Sequence, residues 1–306
     1  MAKYIIKRIG IMVLTLFFVL LLTFIIMHSI PGGPYSAGKR LPAEIQAAID
    51  AKYKLDDPLP VQFFEYLKGV AKFDLGPSFK YEGMSVNDLI AKGFPISASL
   101  GIFSMLFVLA VGIPLGIFSA MKRGKWQDTL ISFFTTFGVT IPSFVVATLL
   151  LYFLAFKLGW FPTFGVETLK GYVLPTLALS GYSLAYVTRL MRSSLLDILR
   201  SDYIRTARVK GLSESRTIGV HGMRNAIIPV ITVIGPLFAG LLMGSFVVEK
   251  IFALPGMGRF FVQSITNRDY TAIMGFTVFY SAMLIVIVFI VDILYTIIDP
   301  RIKIDA

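Results

Sequence analysis

A long uninterrupted run of apolar residues near the start of the sequence limits most strongly what this chain can fold into. Ile9–Ile30 spans 22 residues and contains no Lys, Arg, Asp or Glu. About 20 apolar residues in a helix cross the ~30 Å hydrocarbon core of a bilayer. Because the run is longer than the about 7–15-residue apolar segment of a signal peptide, it predicts a retained membrane-spanning helix.

Five further apolar runs repeat this pattern along the chain. They lie at about Ile96–Met121, Leu130–Phe156, Tyr172–Thr188, Ala226–Val248 and Ala272–Ile298. Hydrophobic residues make up 56% of the sequence and charged residues only 15%, whereas soluble domains are about 25% charged. We therefore predict an all-α integral membrane protein with six transmembrane helices. This composition excludes a soluble enzyme, a secreted domain and a disordered chain.

Lysine and arginine are concentrated in alternate connections between the predicted spans. Sixteen lie in the N-terminus, the second and fourth loops and the C-terminal tail, and five lie in the third and fifth loops. Basic short loops stay in the cytoplasm, whereas a loop as long as residues 31–95 is discounted. We therefore expect both termini inside and an extracytoplasmic cap at 31–95. The net charge of +11 then reflects membrane orientation and not nucleic-acid binding.

Short helices are predicted in the two longest outer loops. Glu44–Tyr53 and Val61–Phe73 carry helical patterns within the cap, which is either a structural lid or a docking surface for an outer partner. In the fifth loop, Pro255 and its neighbouring glycines predict a tight turn. Phe260–Ile265 is expected to return from that turn as a short helix.

Signals for metal binding and nucleotide binding are weak. The sequence has no cysteine, and its two histidines, His28 and His221, are predicted on opposite sides of the membrane. No zinc site can be built from them. Gly33–Lys39 matches the G-x4-G-K part of a P-loop, but Arg40 stands where the Mg²⁺-binding hydroxyl is needed. We expect no metal or cofactor in this chain.

Two residues of the spans could carry intramembrane chemistry. Asp292 is the one acid within the predicted spans, and a buried ion pair or hydrogen bond is a better explanation for it than a substrate ligand. Ser183 lies in Gly-Tyr-Ser-Leu-Ala, close to the G-x-S-x-G pattern of serine hydrolases but without its second glycine. An intramembrane enzyme based on either residue is the alternative from a different functional class.

Hydroxyl side chains line one face of the third and of the fourth predicted span. Such faces serve helix packing, or they line a polar path through the membrane. The candidate path-lining residues are Ser132, Thr136, Thr140, Ser143, Thr176, Ser180 and Ser183. Two small-x3-small patterns, Gly112-x3-Gly116 and Gly240-x3-Gly244, predict close helix contacts.

The fourth loop predicts an ordered pair of helices. Ser201 is a capping residue before Tyr203–Lys210, and Gly211 is the expected helix stop. Ser213 then caps a second helix, Glu214–Arg224. The result is a helix–turn–helix elbow, which either is gripped by a partner or lies on anionic lipid.

The same loop resembles a known family. Ser201–Leu212, continued by His221–Ala226, is similar to the cytoplasmic coupling segment of type I ABC-importer permeases of the dipeptide/oligopeptide/nickel branch. Ala207 and Gly211 match the general E-A-A-x3-G motif. Arg205 replaces its Glu, as in the peptide branch. The coupling residues that the resemblance implies are Tyr203, Arg205, Thr206, Ala207, Lys210, Gly211, Leu212, Ser213 and Arg216.

Further segments over nearly the whole chain are similar to the B-type subunit of oligopeptide importers. They are Ile30–Gly32, Leu55–Gln62, Asp74–Ser78, Leu254–Gly258, Asn267–Tyr270, Val291–Asp292 and Asp299–Arg301. The resemblance implies an N-terminal helix at 1–30, a cap at 31–95, a type I permease core at 96–300 and a coupling elbow at 200–224.

The resemblance also implies a function and partners. The chain would be a bacterial inner-membrane permease subunit that forms half of the translocation pathway of an oligopeptide importer. Its partners would be a homologous second permease, two ATPases that bind ATP and Mg²⁺, an extracytoplasmic peptide-binding protein and membrane lipid, with no nucleic acid. Dipeptide, glutathione and nickel remain alternative cargoes.

Overall fold

The computed structural model describes residues 2–30 and 57–298. Within these ranges the regular elements are helices, and an isolated β-bridge joins Pro77 and Ser85. The described residues form two compact units. One takes in residues within 1–96 and 255–286, and the other takes in residues within 97–254 and 287–298. Glu44–Tyr53, Gly33–Lys39 and Asp299–Arg301 lie outside the described residues.

The helices follow the order of the predicted spans and loops. The first five are α1 (Ala2–Ser29), α2 (Leu59–Ala71), α3 (Val86–Phe107), α4 (Ile113–Met121) and α5 (Trp126–Thr140). The next five are α6 (Ser143–Leu150), α7 (Leu169–Ile198), α8 (Asp202–Val209), α9 (Glu214–Arg216) and α10 (Met223–Ala226). Then come α11 (Ile228–Leu242), α12 (Phe246–Ile251), α13 (Met257–Thr266) and α14 (Tyr270–Ile298). Segments of π-helix continue α3, α6 and α9 at Val108–Gly112, Leu151–Lys157 and Thr217–Gly222.

Four described helical stretches are long and apolar enough to cross a membrane. They are Ile5–Ser29, Val86–Met121, Ile228–Ile251 and Tyr270–Ile293. These correspond to the first, second, fifth and sixth predicted spans. The prediction of an all-helical membrane chain is therefore confirmed, with the third and fourth predicted spans taking other forms.

The third predicted span is not one straight helix. Helix α5 and the stretch Ser143–Lys157 are bent by 106° relative to each other. The cause is Pro142, since the residue before a proline is pushed out of the helical region. Ile141 accordingly has φ −83° and ψ 123°. The prediction that Ser143 shares a helix face with the α5 hydroxyls was therefore wrong.

The fourth predicted span lies inside the longest described helix, α7, which is too polar to pass as a lipid-facing span. Helices α4, α5, α6 and α11 pack around it. Residues buried along it include Leu174, Ala178, Val187, Met191 and Leu195. A helix covered by protein on one face can carry polar residues that a lipid-exposed helix could not.

Glycine lets α4 approach α7 closely. A Cβ on Gly116 would lie 2.6 Å from the carbonyl oxygen of Thr188 and 2.7 Å from Cβ of Met191. The predicted contact face at Gly112-x3-Gly116 is therefore confirmed. In the second pattern, Gly240 makes no such contact with the described residues, because a Cβ there would meet no described atom within 4 Å. Gly244, with φ +73°, ends α11, and a Cβ there would collide with the Glu249 carboxylate and lie 3.4 Å from Ser97 Oγ.

We expect Gly116→Ala to destabilise the protein by about 1–3 kcal/mol, because an added methyl group overpacks the contact between α4 and α7. Gly240→Ala is the matched control, since it adds the same methyl group in open space. Thermal unfolding of both variants in the same detergent measures the difference. Equal unfolding temperatures would show that this glycine contact does not hold the two helices together.

The first-loop helix is confirmed as α2. Its Phe63 is buried, and the ring lies 6.0 Å from that of Phe17 and 5.2 Å from that of Phe24 in α1. Gln62 donates to the carbonyl oxygen of Asp57 at 2.8 Å. The aromatic contacts attach this part of the first loop to α1.

Residues 76–85 are held against the fifth-loop helix α13, which includes the predicted Phe260–Ile265. Ser78 Oγ donates to Asp269 at 2.5 Å, and the Tyr81 hydroxyl donates to Gln263 Oε1 at 2.6 Å. Burial raises the pKa of Tyr81, so the phenol keeps the proton that it donates. These bonds give parts of the first and fifth loops a defined arrangement.

Candidate functional site

The candidate site is the elbow between α7 and α11, residues 200–224. Helix α8, Asp202–Val209, takes the place of the predicted Tyr203–Lys210. The second helix begins at Glu214 as predicted, but it passes through the π-helical Thr217–Gly222 before α10. The predicted helix–turn–helix is thus present, with an irregular second arm.

Gly211 makes the turn of the elbow. Its φ is +80°, a left-handed conformation that glycine adopts without steric cost. The N–H of Leu212 donates to the carbonyl oxygen of Ala207 at 3.3 Å, and that of Gly211 donates to Arg208 at 2.9 Å. This pair of bonds is a Schellman motif. The predicted helix stop at Gly211 is therefore confirmed.

One of the two predicted helix caps forms a capping bond. Ser213 has extended backbone, and its Oγ accepts from the N–H of Arg216 at 3.4 Å. Ser201 also has extended backbone before α8, but its Oγ donates to the carbonyl oxygen of Ile198 at 2.6 Å. Ser201 is therefore the N-cap residue of α8 as predicted, but its side chain makes no capping bond and binds the end of α7 instead.

The inner side of the elbow is anchored. Ile204 is fully buried and Ala207 is buried beside it. Asn225 Nδ2 donates to the Tyr203 hydroxyl at 2.8 Å, which joins α8 to α10. Ile218 and Ala226 belong to the same core as α7 residues such as Leu195. The elbow therefore shares one hydrophobic core with α7.

The exposed side of the elbow, facing away from α7, is a basic surface, which we call the elbow face. Of the residues predicted to couple, seven are exposed: Tyr203, Arg205, Thr206, Lys210, Gly211, Ser213 and Arg216. Leu212 is half-buried, and Ala207 points into the core as an anchor. The elbow thus combines an exposed basic surface with a buried, anchored base.

An ion pair at the base of the elbow was not singled out from the sequence. Arg192 in α7 binds Asp128 in α5 through two bonds, Nε to Oδ1 at 2.7 Å and Nη2 to Oδ2 at 2.8 Å. Ser119 Oγ and the N–H of Gly124 also donate to this carboxylate, at 2.6 and 3.0 Å. We call these four groups the basal clamp. It fixes the second loop to the helix that leads into the elbow.

The candidate path-lining residues divide into two groups. On α5, Thr136 and Thr140 are exposed and Ser132 is half-buried, as is Ser143 on α6. On α7, Thr176, Ser180 and Ser183 are buried. Ser180 Oγ donates to the carbonyl oxygen of Thr176 at 2.5 Å. The hydroxyl face of α7 is thus its packing side, whereas Thr136 and Thr140 remain on an open surface.

The acids within the helical core differ from the expectation. Asp292 is half-buried in α14, and its structural role remains a prediction. Glu249 in α12 is fully buried and accepts from Ser97 Oγ at 2.7 Å. The sequence analysis ends the fifth span at Val248 and so places Glu249 in the next loop, because it interprets Gly244 as part of a helix contact and not as the end of α11.

Comparison with known proteins places these features in a family. Residues 112–304 match the family described as binding-protein-dependent transport system inner membrane component, and residues 1–101 match its N-terminal family. The chain is 46% identical to the dipeptide transport system permease protein DppB of Bacillus subtilis, covering 99% of this chain and 98% of that protein. It is 42% identical to the oligopeptide transport system permease protein OppB of Escherichia coli, covering 99% and 100%.

Two solved structures share the fold at low identity. One is the MetNI methionine ABC transporter in inward-facing conformations, with a TM-score of 0.54, 16% identity and coverage of 69% of this chain and 96% of that chain. The other is an amino acid ABC transporter, with a TM-score of 0.52, 18% identity and coverage of 68% and 94%. At this level of identity the likeness concerns the fold alone.

Proposed function

Because this chain belongs to the family of binding-protein-dependent transport system inner membrane components, we propose that it is a permease subunit of an ATP-driven peptide importer. The observation that carries the proposal is full-length identity of 42–46% to permeases named for oligopeptide or dipeptide transport. Such a subunit is a membrane component and not an enzyme. Family membership therefore replaces the alternative of an intramembrane enzyme based on Ser183 or Asp292.

Oligopeptides are the proposed cargo, and dipeptides are a second candidate. The dipeptide candidate is favoured by the 46% identity to the Bacillus subtilis dipeptide permease. The oligopeptide candidate is favoured by 42% identity to several oligopeptide permeases, each matched over its whole length. Nothing in the described residues favours glutathione or nickel, and these residues hold no cluster of metal-ligating side chains.

The topology that we propose has six crossings with both termini in the cytoplasm. The bent pair α5 and α6 with its π-helical extension would form the third crossing, and α7 would form the fourth. Burial of one α7 face against α4, α5 and α11 supports this assignment, since a helix shielded by protein can cross despite its polar residues. The elbow then lies on the basic, cytoplasmic side.

The proposed complex contains this chain, a homologous second permease, two ATPases and an extracytoplasmic peptide-binding protein. The two permeases would each form half of the pathway, and ATP and Mg²⁺ would bind to the ATPases. The elbow face would dock one ATPase. This role is supported by the exposure of its basic residues and by its rigid attachment to α7 through Ile218 and Ala226.

In the mechanism that we propose, closure of the ATPases displaces the elbow, and the attached helices reorient the cavity between the two sides of the membrane. The Schellman turn at Gly211 keeps the elbow in one shape while it moves. The basal clamp between Asp128 and Arg192 carries the displacement into α5. Peptide released by the binding protein would enter the outward-facing cavity.

Gentle extraction of the tagged chain from its native membrane tests the proposal, with its companions identified by mass spectrometry. We expect a second permease and two P-loop ATPases near one copy each. The purified complex in proteoliposomes should then take up peptide with ATP and binding protein present. Recovery of the chain alone, or only with itself, would contradict the proposed function.

A further inference from the structure

The exposed face of α7 is chemically unlike its buried face. Tyr182 and Tyr186 are 55% and 39% exposed, and Arg189 is exposed one turn further on. Their spacing of four and three residues puts them on one side of the helix. The 1.5 Å rise per residue spreads them over about 10 Å. They form a continuous surface, which we call the tyrosine–arginine face.

This face is poorly suited to lipid hydrocarbon. Helix α7 is long enough to cross a membrane, but it is less apolar than the four described stretches that could do so in contact with lipid. Its other side is covered by protein. Arg189 directly follows the predicted fourth span, Tyr172–Thr188, at its basic end, where an arginine faces protein, water or the polar membrane interface. The tyrosine–arginine face therefore needs a polar occupant or water.

The guanidinium of Arg189 is oriented by hydroxyl groups that do not neutralise it. Its Nε donates to Thr135 Oγ1 at 3.3 Å, and its Nη2 donates to Thr136 Oγ1 at 3.0 Å. Both threonine hydroxyls donate to the carbonyl oxygen of Ser132, at 3.0 and 2.8 Å. Their lone pairs are thus left for Arg189, which fixes the direction of the guanidinium.

A comparison with Arg192, three residues later, shows what Arg189 lacks. Arg192 is neutralised by Asp128 through two bonds. Across residues 2–30 and 57–298, no carboxylate forms a salt bridge with Arg189. The N–H groups on its Nη1 have no acceptor among these residues. An oriented cation with unused donors is a site for a carboxylate.

The tyrosines supply a second kind of contact beside this cation. The rings of Tyr182 and Tyr186 are stacked, with centroids 6.2 Å apart and an interplanar angle of 15°. They offer flat apolar surface with hydroxyl groups at the edge, which accepts varied side chains without demanding one sequence. A peptide presents both features, a carboxylate at its C-terminus and side chains next to it.

We propose that the tyrosine–arginine face binds the carboxylate of a peptide on its way through the membrane, with Arg189 as the anion-binding residue. The inference rests on the proposed function and names the part of the cargo that this chain recognises. Thr135 and Thr136 act as positioning residues, since they hold the guanidinium from the side of α5. Every unmodified peptide carries the C-terminal carboxylate, so this site recognises peptides independently of their sequence.

The test compares ATP-driven uptake of trialanine and of trialanine amide into proteoliposomes of the complete transporter with its binding protein. For each peptide, uptake by the variant is divided by uptake by the wild type. Any preference of the binding protein for one peptide then cancels. We expect Arg189→Gln to reduce trialanine uptake about tenfold, the factor that corresponds to one charge-assisted hydrogen bond. Uptake of the amide should fall less than about twofold, and Arg189→Lys should retain most trialanine uptake.

Arg123→Gln is the matched control, because it removes the same charge from an exposed position in the second loop. It should leave uptake of both peptides unchanged. A third peptide, Ala-Glu-Ala amide, distinguishes the source of the carboxylate. If its uptake also depends on Arg189, a side-chain carboxylate occupies the same site, and carboxylate recognition is supported.

Several outcomes would overturn the inference. Equal loss of both peptides would make Arg189 merely structural, and failure of Arg189→Gln to co-purify with its partners would make the face a protein interface. Uptake is also compared with and without anionic lipid. If the wild type needs anionic lipid and Arg189→Gln does not, Arg189 binds a lipid headgroup and not the peptide. Unchanged uptake by Arg189→Gln contradicts the inference alone, whereas wild-type transporter without peptide uptake contradicts the proposed function itself.

Discussion

We expect Gly211→Asp to abolish peptide uptake, by about 100-fold or more, while the chain still inserts and its complex still hydrolyses ATP. The protein itself has room for the new side chain, because no described atom lies within 4 Å of a Cβ at this position. Aspartate also tolerates the left-handed backbone that the φ of +80° requires. The effect therefore falls on the elbow face, where an unpaired negative charge inside a protein interface costs about 3 kcal/mol or more.

Two variants separate charge at the interface from strain in the turn. Gly211→Ala keeps the strain without the charge and should lower uptake only a few-fold. Gly159→Asp repeats the substitution at another helix end, where φ is +64° and no described atom lies within 4 Å. It should leave uptake near wild type. Full uptake by Gly211→Asp at wild-type expression, measured beside ATP hydrolysis and co-purification, would remove the coupling role from the elbow.

The elbow could be predicted from the sequence because its signals are local. A helix that ends in a left-handed residue favours glycine at that position, and Gly211 meets this preference. Ser213 stands directly before the helix that it caps. Each signal concerns a few neighbouring residues and needs no knowledge of the fold. Ser201 is also the N-cap residue that the sequence predicts, although its hydroxyl binds the preceding helix and makes no capping bond.

The spans could be found from apolar length, but their faces could not be assigned. Ser180 and Ser183 formed a plausible polar stripe on α7, yet it is buried, while Tyr182 and Arg189 lie on the exposed side. Which side of a helix is covered depends on neighbours that are distant in sequence. Hydroxyl residues are compatible with either side, so the pattern alone left both interpretations open.

Three turns were missed because they lack glycine. Phe73, Ala253 and Arg268 have φ values of 58°, 53° and 55°, each just after a helix end. At Ala253 the N–H of Leu254 donates to the carbonyl oxygen of Glu249 at 2.7 Å, as in a Schellman motif. Sequence rules identify such turns by glycine, so a turn held in place by surrounding contacts gives no signal.

The second large effect is expected at the basal clamp. Asp128→Asn should destabilise the complex by about 1–3 kcal/mol, since it leaves the Arg192 guanidinium without its counter-charge in a largely buried site. The side chains are 7% and 31% exposed, so water can compensate only in part. Arg192→Gln should have a similar effect. The double variant should lose less than the sum of the single variants, because it removes both charges together. Thermal unfolding of the purified complex measures all three.

The elbow provides a matched pair for this measurement. Arg208 and Glu214 are joined at 2.8 Å, almost the same distance as the clamp, but their side chains are 42% and 60% exposed. An exposed pair contributes about 0–1 kcal/mol, so Glu214→Gln should hardly change the unfolding temperature. If burial decides the strength of the clamp, the two pairs differ although their lengths agree. Equal small effects at both pairs would mean that the clamp does not fix α5 to α7. The proposed movement of the elbow would then reach the membrane helices through the core around Ile218 and Ala226 alone.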